Sequence, residues 1–274
     1  MIPFTKAHAC GNDFLIVEED AAKNLDGAEL TRRLCQRNTG IGADGVEFFQ
    51  WTGDTSGRIR LHNADGSIAE ISGNGTRCVA AWMAEERGAQ PGDEFAIETD
   101  AGPRLCTIQE FRDSDIDGPT TLITADMDVP EFEERTIELA DGASIDGVHV
   151  SMGNPNFVIL VDSKDFSVAK RVWTSIGEEI CSHRDFPQQT NVEFVRIVSD
   201  REIEIRIFER GVGPTTSSGT GSSASATAVL ALRRCVSPLN VVAPGGSQSV
   251  TWSGPGTELQ LTGSAALIAR GEAW

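Results

Sequence analysis

Two helix-length segments of this chain are apolar on almost every face, and a helix of that kind has to be enclosed. One begins near Gly75 and runs through Cys78-Val79-Ala80-Ala81-Trp82-Met83-Ala84. The other begins near Gly221 and runs through Ala224-Ser225-Ala226-Thr227-Ala228-Val229-Leu230-Ala231-Leu232. A surface helix shows one apolar stripe, whereas these fit the inside of a sheet. Each follows a similar glycine-rich turn, Ser72-Gly73-Asn74-Gly75 and Ser218-Gly219-Thr220-Gly221. The serines stand 146 positions apart (218 minus 72), about half of the 274 residues. This weak repeat fits two halves related by a pseudo-two-fold axis, each offering a helix N-terminus to a shared cleft.

Strand-like runs supply the walls. Phe14-Leu15-Ile16-Val17 reads as a buried strand, and 57–63, 192–197 and 202–208 alternate polar with apolar residues. Ile97 to Gly102 runs from a strand into a turn, and Gly153-Asn154-Pro155 breaks 148–161 into two strands. The acidic, turn-rich stretch 112–119 is the expected crossing between halves. The expected domains are therefore 1–116, completed by 263–274, and 117–262.

The net charge of −18 argues against nucleic acid and anionic membranes as partners. No apolar run of about 18 residues exists to span a bilayer, and the N-terminus lacks a signal-peptide pattern, so a cytoplasmic location is expected. Six cysteines form no C-x-x-C pair, and four histidines lack metal-ligand spacing, so no metal is expected.

A glycine-rich turn leading into a helix offers backbone N–H groups and a positive dipole end. Two such turns could hold one carboxylate and favour negative charge at a neighbouring carbon. The plainer reading, glycines that only permit tight turns, weakens when two matched turns occur in one chain.

Several motifs, in order along the chain, resemble those of the diaminopimelate epimerase family. They are Lys6-Ala7-His8-Ala9-Cys10-Gly11-Asn12-Asp13-Phe14, Asn63-Ala64-Asp65-Gly66-Ser67 and Ser72-Gly73-Asn74-Gly75-Thr76-Arg77-Cys78. Gly153-Asn154-Pro155, Thr190-Asn191-Val192-Glu193-Phe194, Glu209-Arg210-Gly211-Val212-Gly213, Pro244-Gly245-Gly246 and Leu261-Thr262-Gly263-Ser264-Ala265 follow. The resemblance implies an α/β fold of two pseudo-symmetric domains, each a strongly curved sheet around a central helix. It implies conversion of LL-diaminopimelate to the meso form without pyridoxal phosphate or metal, by one residue that removes the α-proton and a second that returns one to the other face. Asn12, Asn63, Asn154, Asn191, Glu209 and Arg210 would hold the substrate, and Gly73-Asn74 and Gly219-Thr220 would meet its reacting carboxylate. A homodimer is left open. The chemistry agrees, since a substrate with two ammonium and two carboxylate groups suits an Arg fork, a Glu acceptor and several amides.

The family's two proton-transfer residues are normally cysteines, and the matching positions here are Ser72 and Ser218. A thiol has a pKa near 8.5 and a hydroxyl one nearer that of water, a gap of about 7 units or roughly 10 kcal/mol. A helix N-terminus recovers about 1–2 kcal/mol of that. Three explanations stay open. The serines are activated, or another group such as Cys10 or a nearby histidine supplies the acid and base. The protein binds diaminopimelate or another small amino acid with little turnover, or isomerises a different small acid. Two cysteines have been replaced deliberately, against which Pro214, Ser217, Ser222 and Ser223 also depart from the family's pattern. His62 precedes Asn63 on a strand, so its side chain is expected to point the other way.

Overall fold

The computed structural model describes residues 1–113 and 118–274, so the acidic turn taken as the crossing between halves lies in part outside the described residues. The chain divides into two compact units, Met1–Asp126 with Thr262–Trp274, and Met127–Leu261.

In the first unit β1 (Ile2–Ala9) pairs antiparallel with β2 (Asn12–Glu18). The short helix α1 (Glu19–Ala22) and α2 (Gly27–Cys35) then cross to β3 (Gly45–Trp51), parallel to β2. A parallel pair needs such a crossover. Antiparallel β4 (Ser56–Asn63) follows with the small β5 (Ile68–Ala69) on its end. Helix α3 (Gly73–Arg87) leads to β6 (Glu94–Thr99), parallel to β4, and β7 (Gly102–Arg112) and β8 (Thr120–Met127) continue antiparallel. The C-terminal strand β17 (Leu259–Ala273), which belongs to this unit from Thr262 onward, pairs with both β1 and β8. The strands thus close on themselves. Because β8 pairs with β7, it stays with this unit, and the division falls at 126/127 rather than near the acidic turn.

The second unit repeats this connectivity. β9 (Glu131–Glu138), β10 (Ser144–Ser151) and β11 (Pro155–Leu160) run antiparallel, and α4 (Trp173–Cys181) crosses to β12 (Asn191–Ser199), parallel to β11. Antiparallel β13 (Glu202–Glu209) carries β14 (Gly213–Thr215). Helix α5 (Gly219–Ala231) leads to β15 (Leu239–Ala243), parallel to β13, and β16 (Gly246–Trp252) closes the order. The position of each helix between strands matches α2 and α3 of the first unit.

Both central helices are enclosed as their composition requires. Every residue of α3 from Gly73 to Ala84 is buried, among Phe49, Phe95, Ile97, Ile108 and Ile123. Every residue of α5 from Gly219 to Val229 is buried, among Val148, Val195, Ile205, Ile207 and Val241. The hydroxyls inside α5 are partly met within the helix: Ser223 Oγ donates to the Gly219 carbonyl and Thr227 Oγ1 to that of Ser223, both at 2.9 Å. The helices begin earlier than their apolar runs suggest. Serine oxygens cap them, so Gly73-Asn74-Gly75 and Gly219-Thr220-Gly221 form first helical turns rather than preceding loops. Among the described residues no helix is long and apolar enough to cross a membrane.

Enclosure makes a stability prediction. Ala226, fully buried in α5, has no room for a larger side chain, so Ala226→Leu is expected to destabilise the protein by about 1–3 kcal/mol. Urea unfolding measures this, and an unchanged midpoint would mean that α5 has an open face.

Candidate active site

Ser72 and Ser218 occupy equivalent places. Each has extended backbone, φ −126° and −147°, and each Oγ accepts the N–H three residues on, Gly75 at 3.1 Å and Gly221 at 3.2 Å. Each is the N-cap of an enclosed helix, at its positive end. Ser72 is half-buried and Ser218 buried.

In the first unit a polar chain runs back from this helix end. Arg77, 0% exposed, donates from Nη2 to Asn74 Oδ1 at 2.6 Å. Asn74 Nδ2 donates to Asn12 Oδ1 at 3.2 Å, and Asn12 Nδ2 to Asp44 Oδ2 at 2.7 Å. Arg37 then bridges Asp44 and Asp13, and Lys6 lies 3.0 Å from Asp13. Burial acts to raise the Asp13 pKa, but the hydrogen bonds of Arg37 and Lys6 outweigh it and hold the carboxyl below its ordinary range. The chain orients the amides of Asn12 and Asn74. Asn63, by contrast, donates to Ser67 Oγ in its own turn.

The second unit has a corresponding chain. The Arg210 backbone N–H donates to Asn191 Oδ1 at 2.9 Å, and Asn191 Nδ2 to Asn156 Oδ1 at 3.1 Å. Asn156 Nδ2 donates to the Asn154 carbonyl and Oδ1, and Asn154 Nδ2 to Thr220 Oγ1 at 3.2 Å. Thr220 Oγ1 lies 3.4 Å from Ser218 Oγ. Asn154, Asn191, Arg210, Thr220 and Ser218 are therefore joined through Asn156. Glu209 ends β13, half-buried, and the exposed Arg210 donates from Nη1 to the Gln188 carbonyl.

Of the other candidates, Cys10 lies against Arg77 of the first polar chain, and the rest have surroundings of their own. His62 is buried edge-on against Phe48, 5.1 Å between ring centroids, and burial lowers its pKa. It lines a cavity of about 460 Å³ with Phe48, Trp51 and Arg60, which neither serine and none of the expected substrate-binding residues lines. His8 accepts the Gly11 N–H in the β1–β2 turn. All six cysteines are free and buried, and burial pushes the Cys78 thiol up, away from the reactive thiolate. Among the described residues no group of three or more His, Cys, Asp or Glu could hold a metal.

Four residues have no role in the sequence reading, although Arg77 and Glu193 lie within its motifs. Asn156 links the second polar chain and Arg77 ends the first. Glu47 and Glu193, on β3 and β12, are fully buried beneath the helix ends. Burial alone pushes Glu47 up to about 8, and burial with the charge of Glu209 raises Glu193 well above its ordinary value. The sequence signal for the glutamates is a second repeat, Val46-Glu47-Phe48 and Val192-Glu193-Phe194.

A sequence model described as diaminopimelate epimerase matches residues 4–123 and 148–268. A diaminopimelate epimerase of Moorella thermoacetica is 34% identical over 288 residues, covering 98% of both chains. One from Microcystis aeruginosa is 33% identical, again covering 98% of both. A crystal structure of a hydroxyproline epimerase from Agrobacterium vitis superposes with a TM-score of 0.72 at 18% identity, over 98% of this chain and 90% of that one. At that identity it shows a shared fold.

Asn156 carries the testable weight of the second chain. Removing its amide in Asn156→Ala leaves the buried Asn191 Nδ2 without this partner, so a loss of about 1–3 kcal/mol is expected in chemical unfolding. An unaltered stability would show that Asn191 and Asn154 are held by other groups.

Proposed function

The chain belongs to the diaminopimelate epimerase family, and we propose that it moves the α-proton of LL-diaminopimelate through Ser72 and Ser218. The chain is an amino-acid epimerase, and its reaction is conversion of LL-diaminopimelate to the meso form. One serine stands at the departure of the α-proton and the other at its return on the opposite face. The observation that carries this reading is the matched pair of serine caps, each on the N-terminus of an enclosed helix with the same hydrogen bond.

A helix N-terminus favours negative charge, which the α-carbon and its carboxylate develop once the proton leaves. In this reading Gly73-Asn74 and Gly219-Thr220 meet the reacting carboxylate. Asn12, Asn63, Asn154 and Asn191 order the ammonium and carboxylate groups, the last by fixing the Arg210 backbone. Arg210 pairs with the distal carboxylate, and Glu209 accepts from the distal ammonium. A cytoplasmic location and a homodimer belong to the same reading, and sedimentation tests the latter.

The experiment is calorimetry with LL-diaminopimelate alongside α-proton exchange in heavy water. Binding with exchange is expected. Binding without exchange would make the chain an amino-acid-binding relative, and no binding would point to another ligand. In the same assay Arg210→Lys is expected to weaken binding by about 1–3 kcal/mol, because a point charge cannot replace a bidentate fork. Unchanged affinity in a folded variant would remove Arg210 from the distal anchor.

A further inference from the structure

Glu47 and Glu193 stand 146 positions apart (193 minus 47), the same spacing as Ser72 and Ser218. Both are 0% exposed. Neither Glu47 oxygen has a hydrogen-bond partner among the described residues, and Glu193 meets only its own backbone N–H. Carboxyl groups so placed are costly, since buried polar groups are otherwise paired. A chain that keeps two of them, at matched positions, has a use for them.

Their placement indicates the use. A Cβ added at Gly75 would lie 2.0 Å from Glu47 Oε1 and 3.3 Å from Ser72 Cβ. A Cβ added at Gly221 would lie 2.9 Å from Glu193 Oε1, 3.2 Å from Ser218 Cβ and 3.4 Å from Ser218 Oγ. On each helix, serine and carboxyl flank one glycine, and a side chain at Gly75 would strike the carboxyl. A bridging water can relay a proton between a serine and a carboxyl set about the same glycine. Each serine oxygen already accepts a backbone N–H, so its own proton can point elsewhere.

We propose that Glu47 and Glu193 are the proton partners of Ser72 and Ser218, exchanging through each hydroxyl the proton that leaves or joins the α-carbon. This rests on the reading that the serines face the substrate. On the departing face, the Cα–H bond breaks and its electron pair stays on carbon. The proton goes to serine Oγ as the hydroxyl proton passes to an ionised glutamate. On the other face, a serine proton forms the new C–H bond with that electron pair, and a protonated glutamate replaces it. One glutamate gains a proton and the other loses one, and solvent restores the pair between turnovers. The glutamates act through the serines, as positioning residues.

Burial suits them to this part. A carboxyl near 8 is about as basic as a cysteine thiolate, whose pKa is near 8.5. The serine then need not ionise by itself, which removes the gap of about 7 units that makes it a poor base. Cys78 on α3 faces Glu47 with a thiol that burial pushes up, and Glu209 faces Glu193 and raises it further. Both carboxyls thus titrate above the ordinary range, so one can stay protonated while the other is ionised.

The test places Glu47→Gln and Glu193→Gln in two backgrounds, the natural chain and the Ser72→Cys, Ser218→Cys double variant. Diaminopimelate affinity, read by calorimetry, is expected to persist throughout. In the serine background each Gln variant is expected to lose at least about 100-fold in α-proton exchange. In the cysteine background the loss is expected to stay under about tenfold, because a thiol needs no such partner. Full exchange in the serine background, or equal losses in both, would overturn the proposal, since a merely structural role follows neither pattern. If a Gln variant does not fold, the natural chain decides: its exchange rate is expected to change with pH between about 6 and 9, and a flat profile overturns the proposal. A natural chain that neither binds nor exchanges would instead defeat the functional reading itself.

Discussion

A helix buried along its length can offer chemistry only at its ends. That constraint shapes both units. The walls around α3 and α5 take every side of these helices, and small residues let the strands approach closely. What remains at the N-terminus is a positive dipole end, a serine cap and a short run of glycines. Packing therefore delivers the same electrostatic feature twice, before any residue acts on a substrate.

The polar chains behind these helix ends order the side chains near each cap. In the first unit the uncommon choice is Arg77, a cation with no exposure, whose guanidinium fixes the Asn74 amide. In the second unit an uncharged residue, Asn156, does the equivalent work by donating to Asn154 and accepting from Asn191. The two halves share connectivity and differ in how they order their side chains. Nearer the first helix end, Asp13 contributes a pH dependence of its own. Its folded pKa lies below the ordinary value, so its ion pairs stabilise the fold above that value and are lost as pH falls through the folded pKa.

Much of this was legible in the sequence, and the reasons differ by feature. Apolar periodicity identified α3 and α5 because enclosure leaves no polar face to confuse the pattern. Alternation identified β4 and β13, which have one buried and one less buried face, whereas β12 is buried on both faces over its first five residues. The helix starts were read late because Gly73 and Gly219 have poor helical propensity, and only the serine cap explains them. α2 and α4 are short crossovers whose place is dictated by the parallel pairs they join. Candidate residues within glycine-rich motifs could be named because those motifs are local. Glu47 and the bonds of Asn156 could not, because their importance comes from strand neighbours far away in sequence. A buried, unpaired carboxyl looks like any strand glutamate until the fold covers it.

In the mechanism proposed, two separate proton-transfer positions, one at each serine-capped helix, serve opposite faces of the α-carbon. The most direct test is a single turnover of LL-diaminopimelate carrying deuterium at the α-carbons, run in ordinary water and analysed by mass spectrometry and stereochemistry of the product. The inverted carbon of the first meso product is expected to carry hydrogen from solvent, since the group that takes the deuterium is not the one that returns a proton. Retention of the substrate's deuterium at the inverted carbon would contradict that mechanism, because one group would then have served both faces.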